Sequence, residues 1–462
     1  MQNNLSSSRV EEIVVAGLAG MPLAGKRVLL IVPDATRSCP LGAVARLLHK
    51  HLRPTVAAMD MLIALGTHPP MNEAQIDALL DVPAGGRGRV FGDMKVFNHE
   101  WNNPESLAKI GSLSAGKIQE ITGGLFAMDV DVRINRLIFD YDALVVVGPV
   151  FPHEVVGFSG GSKYFFPGIS GPELLNFFHW LGAVITNPRI IGHKHTPVRR
   201  VLEQAAAMIP RETFAFCMVI GRDEGQRDEG VSPSCPAGIL PSAGCEGDRS
   251  YPSDQVNEAH NAGGTPASLV PPLAGLFAGA VADAWSAAAD LSDRLHIEYL
   301  DRPFASVLSQ APPMYDELWV GGKCMYKLEP VVADGGELII YGPHIREISV
   351  SHGRLIEQIG YHTRDYFVTQ WDRFKEFPWG VLAHSTHVRG IGTCEGGVEK
   401  PRIMVTLATG IDEATCRRVN LGYRDPASID VRDWQNREDR LHVPKAGEML
   451  YRLKNPPAWQ RA

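Results

Sequence analysis

Ala143-Leu144-Val145-Val146-Val147, closed by Gly148-Pro149, reads as a buried strand, and the residues beyond it decide how the rest of the chain is read. An apolar run of this length, bounded by Gly and Pro, suits a strand inside an α/β sheet. Past its carboxyl end stand Pro152-His153-Glu154-Val155-Val156-Gly157-Phe158-Ser159-Gly160-Gly161-Ser162-Lys163, then Pro167-Gly168, then His179. Open α/β sheets bind ligands beyond the carboxyl ends of their strands, so a histidine, a small-residue loop and a lysine stand where chemistry is usually presented. Small residues let backbone approach a bulky ligand, and successive N–H groups can hold a phosphate. The lysine is a point charge or, with a desolvated amine, a covalent tether. An ordinary turn with a solvated lysine would account for Gly160-Gly161 alone, whereas the two flanking histidines favour a functional loop.

The same rhythm runs outward from this strand. Lys26 to Val32 reads as a first strand ended by Pro33-Asp34, and Leu41 to Leu52 as a helix. Met59 to Leu65 reads as a second strand ended by Gly66-Thr67-His68, and Asn72 as the N-cap of another helix. Strand and helix in alternation predict a parallel α/β sheet. Residues 222–270 are rich in Gly, Pro, Ser, Asp and Glu and lack apolar periodicity, which marks a low-complexity insertion or linker without a catalytic role. Beyond it, Leu273 to Ala289 reads as an Ala-rich helix, and Tyr315 to Val320 and Glu337 to Tyr341 as strands. Leu355 to Ile359 and Asp412 to Val419 read as helices. The expected fold class is α/β: two α/β domains, at 1–221 and 271–462, with an active-site cleft between them.

Composition narrows the function. The 462 residues are 45% hydrophobic and 21% charged, ordinary for a globular protein. A net charge of −7 without a Lys/Arg block argues against nucleic acid, and no apolar run approaches a membrane span. The N-terminus lacks an apolar signal segment, and seven scattered cysteines without a CxxC pair suit a reducing compartment. The expected location is cytoplasmic.

Further strand-end residues join the loop. Asp34-Ala35-Thr36-Arg37 offers a guanidinium fork for a carboxylate or phosphate, with Asp34 and Thr36 as hydrogen-bonding groups, or else an Asp-capped helix start. His68, between a strand end and two prolines, suits a general base, although a lone histidine is more often structural. Gly321-Gly322-Lys323 sets a cation opposite the first domain's edge, or is a common glycine turn. There is no zinc-hydrolase helix, no GxSxG elbow and no GxGxxG.

Taken together, Asp34-Ala-Thr-Arg37, Gly66-Thr-His68, Pro152-His153, Gly157-Phe-Ser-Gly-Gly161-x-Lys163, Pro167-Gly168 and His179 resemble the nickel-pincer lactate racemase family. The likeness covers about residues 20–220 and resumes loosely to about 430, including Gly422 to Pro426. The resemblance implies a nickel-pincer nucleotide, a pyridinium-3-thioamide-5-thiocarboxylic acid mononucleotide carrying Ni, attached covalently at Lys163 with His179 as protein ligand. It implies that Asp34, Thr36, Ser159, Gly160 and Gly161 hold the nucleotide and that His68 and His153 are paired acid/bases. Arg37 and Lys323 would clamp a 2-hydroxy acid's carboxylate, with Trp319 against the substrate. Hydride would leave C2 and return to the opposite face, inverting the centre. Cofactor-biosynthesis proteins are the implied partners.

The chain departs from that pattern at Trp319-Val320, where lactate-type members tend to place Tyr-Gln. A lost amide alters the wall facing the substrate's tail, so a larger 2-hydroxy acid, such as a sugar acid, is expected over lactate. Tyr361 to Asp365 and His384 to His387 offer polar groups for such a tail, or are ordinary surface. Two other readings stand beside this one. One is a non-catalytic binder of the pincer or of a carboxylate. The other is a metal-dependent hydrolase or lyase with His68, His153 and His179 on one ion.

Overall fold

The computed structural model describes residues 4–36, 39–124, 127–221 and 272–461. Ser6 caps α1 (Ser7–Ala19), its side chain accepting from Arg9 N–H. A first sheet follows, built from β1 (Arg27–Val32), β2 (Ala58–Ile63), β3 (Val96–Asn98), β4 (Ala143–Pro149), β5 (Glu212–Ile220) and β6 (Leu273–Ala280). Its order is β6-β5-β4-β1-β2-β3. β1 to β5 run parallel and β6 lies antiparallel to β5. In register, Val28 to Ile31 of β1 face Ala143 to Val146 of β4. The chain order reverses between β4 and β1, the switch point at which open sheets form a crevice.

The apolar runs are explained by helices on both faces. Val28, Leu30, Val32, Val145 and Val147 pack with α2 (Leu41–Leu52), while Leu29, Ile31, Leu144 and Val146 turn to the opposite core. Both sets are fully or almost fully buried. Burial of such a side chain stabilises by about 1.5–3 kcal/mol, so a polar residue anywhere along β4 would be expensive. Asn72 closes a capping box on α3 (Glu73–Leu79). The helices that matter for the site are α4 (Pro172–Ile185), α5 (Pro197–Ala206) and α6 (Val281–His296).

The second sheet comprises β7 (Phe304–Gln310), β8 (Val332–Gly342), β9 (Met404–Thr409), β10 (Gly422–Tyr423) and β11 (Arg440–Val443), all parallel, in the order β10-β9-β8-β7-β11. A single buried apolar cluster contains Leu29 of the first sheet and Leu338 of the second, so the two sheets are joined through a shared core. Two further helices are α7 (Gly353–Ile359) and α8 (Trp379–Arg389); the joint nearest the site is α4 against α8, where Asn176 Oδ1 accepts from Gly380 N–H at 3.0 Å, and beside it Trp180 stacks on Trp371 at 5.2 Å.

Two expected elements differ. Leu273–Ala280 is a strand, and only Val281–His296 is helical. Alanine favours helix in isolation, but here the backbone pairs with β5 and the small side chains admit α1, since a Cβ on Gly17 would lie 2.5 Å from Ala278 Cβ. This strand also places the start of 271–462 in the first sheet, so the chain leaves that sheet later than its composition indicates. Tyr315 to Val320 is not a strand either: Leu318–Gly321 is a helical turn, followed by another at Lys323–Tyr326. Gly321 and Gly322 N–H close that turn onto Glu317 and Leu318 carbonyls. The expectations for 222–270 and for Arg37 lie outside the described residues. Among the described residues no helix is long and apolar enough to cross a membrane.

Candidate active site

The loops after β1, β2 and β4 meet at the switch point and form one side of a cavity. Asp34, Thr36, His68, His153, Ser159, Gly160, Lys163 and His179 line it. Trp319, Val320, Lys323, His384 and His387 form the other side. Strands β2 and β4 flank β1, so His68 and His153 reach the cavity from opposite sides of that strand.

His68 is held from two directions. Gly66, at φ +59°, turns the chain out of β2, its N–H bonded to the Gly168 carbonyl of the lysine loop at 2.9 Å. The ring's Nδ1 lies 2.5 Å from Asp34 Oδ2, while Asp34 Oδ1 accepts from Thr36 N–H at 3.1 Å and Oγ1–H at 2.6 Å. Burial opposes ionisation of Asp34, but the His68 hydrogen bond and charge, with Thr36, outweigh it and hold the carboxyl well below the usual range. An ionised Asp34 makes His68 Nδ1 a donor, which leaves Nε2 for the cavity. Both Asp34 oxygens are thus engaged within the chain.

The lysine loop is built by its own backbone. Phe151 N–H donates to Ser159 Oγ at 2.9 Å and Ser159 N–H to the Phe151 carbonyl at 2.8 Å, closing a hairpin that carries His153. Gly160 adopts φ +81°, and a Cβ there would meet Val150 Cγ2 at 2.5 Å. Gly161 is outside the cavity wall; a Cβ on it would strike Trp285 at 2.8 Å. Trp285 Nε1–H donates to the Ser159 carbonyl at 2.9 Å, Arg199 lies 3.9 Å over the same indole, and Glu203 accepts from Ser162 Oγ–H at 2.8 Å. None of these three supports was anticipated from sequence, because Arg199 and Trp285 follow the loop by dozens of residues and carry no motif. Lys163 itself is half-buried at the cavity wall.

His179, on α4, donates through Nδ1 to the Leu175 carbonyl at 2.7 Å. Burial, ahead of the nearby charges, lowers its proton affinity, so the ring is neutral with Nε2 bare, the state in which imidazole binds a metal. A carbonyl behind a ligating histidine also fixes the ring's orientation. Lysine, a positive-φ glycine cradle and this histidine suit a lysine-tethered, nickel-carrying nucleotide. No three His, Cys, Asp or Glu side chains converge on a single ion among the described residues.

On the facing wall, Lys323 is buried with Nζ 4.9 Å from the Tyr315 ring centroid. Trp319 lies between two imidazoles, His384 at 3.9 Å and 9° and His352 at 4.5 Å and 42°. His384 Nε2–H donates to the Trp319 carbonyl at 3.0 Å. Burial pushes His384 down to about 3 and His387 to about 4, so both are neutral. These two therefore lie inside the site and not at the surface. Tyr361 is fully buried and Arg364 pairs with Asp365, all three away from the cavity wall.

Residues 11–190 match the lactate racemase N-terminal domain family. Lactate racemase from Thermoanaerobacterium thermosaccharolyticum is 30% identical over 207 residues, 44% of this chain and 43% of that protein. Lactate racemase from Lactiplantibacillus plantarum is 26% identical over 192 residues, 41% of this chain and 38% of that protein. The alignments thus span less than half the length of these curated relatives. A solved structure from Thermotoga maritima is 30% identical, covers 98% of this chain and 100% of its own and superposes with a TM-score of 0.80. The lactate racemase apoprotein structure from Thermoanaerobacterium thermosaccharolyticum shares the fold, with a TM-score of 0.62 at 17% identity over 96% of this chain and 93% of that one.

Proposed function

We propose that this chain, whose residues 11–190 match the lactate racemase N-terminal domain family, is a racemase or epimerase inverting C2 of a 2-hydroxy carboxylic acid. The observation that carries this reading is the meeting, in one cavity, of two histidines from either side of β1 with a lysine and a half-buried histidine whose Nε2 is bare. Inversion needs a base for the hydroxyl on each side, because the hydroxyl points oppositely in the two isomers.

Lys163 would hold a nickel-pincer nucleotide through a thioamide bond, with His179 Nε2 as the protein ligand and Gly160 giving clearance. When bound, that group supplies a hydride acceptor for C2. His68 takes or returns the hydroxyl proton at Nε2 while Asp34 stabilises the resulting imidazolium. His153 does the same from the other side. Lys323 pairs with the carboxylate, joined in this proposal by Arg37. With Trp319 and Val320 where lactate-type members tend to have Tyr-Gln, a larger 2-hydroxy acid than lactate is the proposed substrate.

Co-expression with cofactor-making proteins tests the reading. The expected result is an intact-mass adduct that disappears in Lys163→Ala, with about one nickel per chain. Single-enantiomer 2-hydroxy acids in deuterated water should then invert with little deuterium at C2. Rapid C2 exchange would instead indicate carbanion chemistry, and an active Lys163→Ala would end the tether assignment.

A further inference from the structure

The inner ring nitrogens of the two acid/base histidines are held differently, and the difference gives Glu154 a task. His68 Nδ1 faces a carboxylate and carries the ring's proton there. His153 Nδ1 accepts the N–H of Val155 at 3.1 Å, so it has no proton and the neutral ring keeps its own at Nε2. A ring in that state cannot take a proton at Nε2. Glu154 Oε2 stands 3.5 Å from the same Nδ1, on a carboxylate that is 17% exposed and lines the cavity. A ring lone pair and a carboxylate oxygen facing one another are brought into attraction by a proton on Nδ1.

We infer that Glu154 is a positioning residue that accepts Nδ1–H of His153, holding the tautomer with Nε2 bare and stabilising the imidazolium once Nε2 has taken a proton. The inference rests on the reading of His153 as an acid/base. The proton that arrives at Nε2 comes from the substrate's 2-hydroxyl and goes back to it, while the Nδ1 proton stays on the ring. A small ring rotation exchanges the Val155 N–H for the carboxylate.

The surroundings suit this division of labour. Asn187 Nδ2–H donates to the Glu154 carbonyl at 3.5 Å, tying down the backbone. Among the described residues, His179 on α4 and His384 and His387 on α8 also feel the charge of Glu154. Burial keeps all three neutral, so they do not compete for its charge. His153 Nδ1 stands within ion-pair distance of the Glu154 carboxylate.

The test uses the full cofactor-free chain with 15N-histidine, the His153 signals assigned through His153→Asn. In Glu154→Gln the His153 imidazolium midpoint should fall by about one pH unit and its Nδ1 shift should become more lone-pair-like. His68 signals should stay in place. In the loaded enzyme the same variant should lose about tenfold or more in kcat with KM nearly unchanged, and Glu154→Asp should recover part of it. Unchanged His153 titration in Glu154→Gln overturns the inference, as does full activity in that variant. A loaded wild type that inverts no 2-hydroxy acid overturns the functional reading instead, and the spectra then still report whether Glu154 and His153 are coupled.

Discussion

On the first sheet's side of the cavity, His68, His179 and the hairpin carrying His153 are held by hydrogen bonds; on the facing side, ring contacts around Trp319 and Lys323 prevail, with one hydrogen bond from His384 to the Trp319 carbonyl. His68 is pinned by Asp34, the His153 hairpin by Ser159, and His179 by Leu175. Trp319 is instead stacked on His384 with His352 tilted against it, and Lys323 lies over Tyr315. Directional bonds fix an atom's position and protonation, which proton transfer requires. Stacked rings fix shape and leave room for exchange, which suits selection of a substrate's tail. The family match, at residues 11–190, covers the first side and stops short of the second. The chemistry and the choice of substrate are therefore proposed to reside on different walls.

The comparison predicts the largest effects on the first wall. His68→Ala should abolish inversion while the lysine adduct survives. Asp34→Asn should lower kcat by about 10³-fold, because the amide presents the wrong hydrogen-bonding partner to Nδ1 and no charge for the imidazolium. The adduct separates two roles for Asp34. If its main task were to hold the nucleotide, the variant would lose the adduct; as the partner of His68 it should keep the adduct and lose turnover.

Effects on the second wall should be smaller and selective. Val320→Gln should shift the ratio of kcat/KM for lactate to that for a larger 2-hydroxy acid by about tenfold toward lactate, the scale of a single pocket contact. Equal losses on both substrates would mean that the facing wall takes part in the chemistry and that the division between the walls is false.

The same contrast explains what could be read in advance. β1 and β4 were legible because a strand covered on both faces must be apolar throughout, and the strand-end residues His68, His153 and Lys163 then fell at the sheet's edge by topology alone. Leu273–Ala280 was not legible, since its strand state comes from pairing with β5 and from close packing by Gly17, neither of which is a local property. Trp285 and Arg199 support the lysine loop across the fold, and single tryptophans and arginines have many uses. The tautomer of His153 is set by one backbone N–H, which no residue pattern encodes. His384 and His387 could be seen as polar groups near the site, but their burial depends on α8 docking against α4.

Burial of neutral histidines should leave a signature in stability. His99 and His193 are pushed down to about 4 chiefly by burial, as are His384 and His387, to about 3 and about 4. In the unfolded chain all four titrate near 6.5. Between that value and the folded ones the unfolded state holds the extra protons, so stability is complete above about pH 6.5 and declines as pH falls toward 4. Each such histidine contributes up to about 1.4 kcal/mol per pH unit in that window. Urea unfolding from pH 7 to 5 should therefore show falling stability, and His387→Phe should flatten the slope by up to one proton. A flat profile would mean that these rings are hydrated in solution.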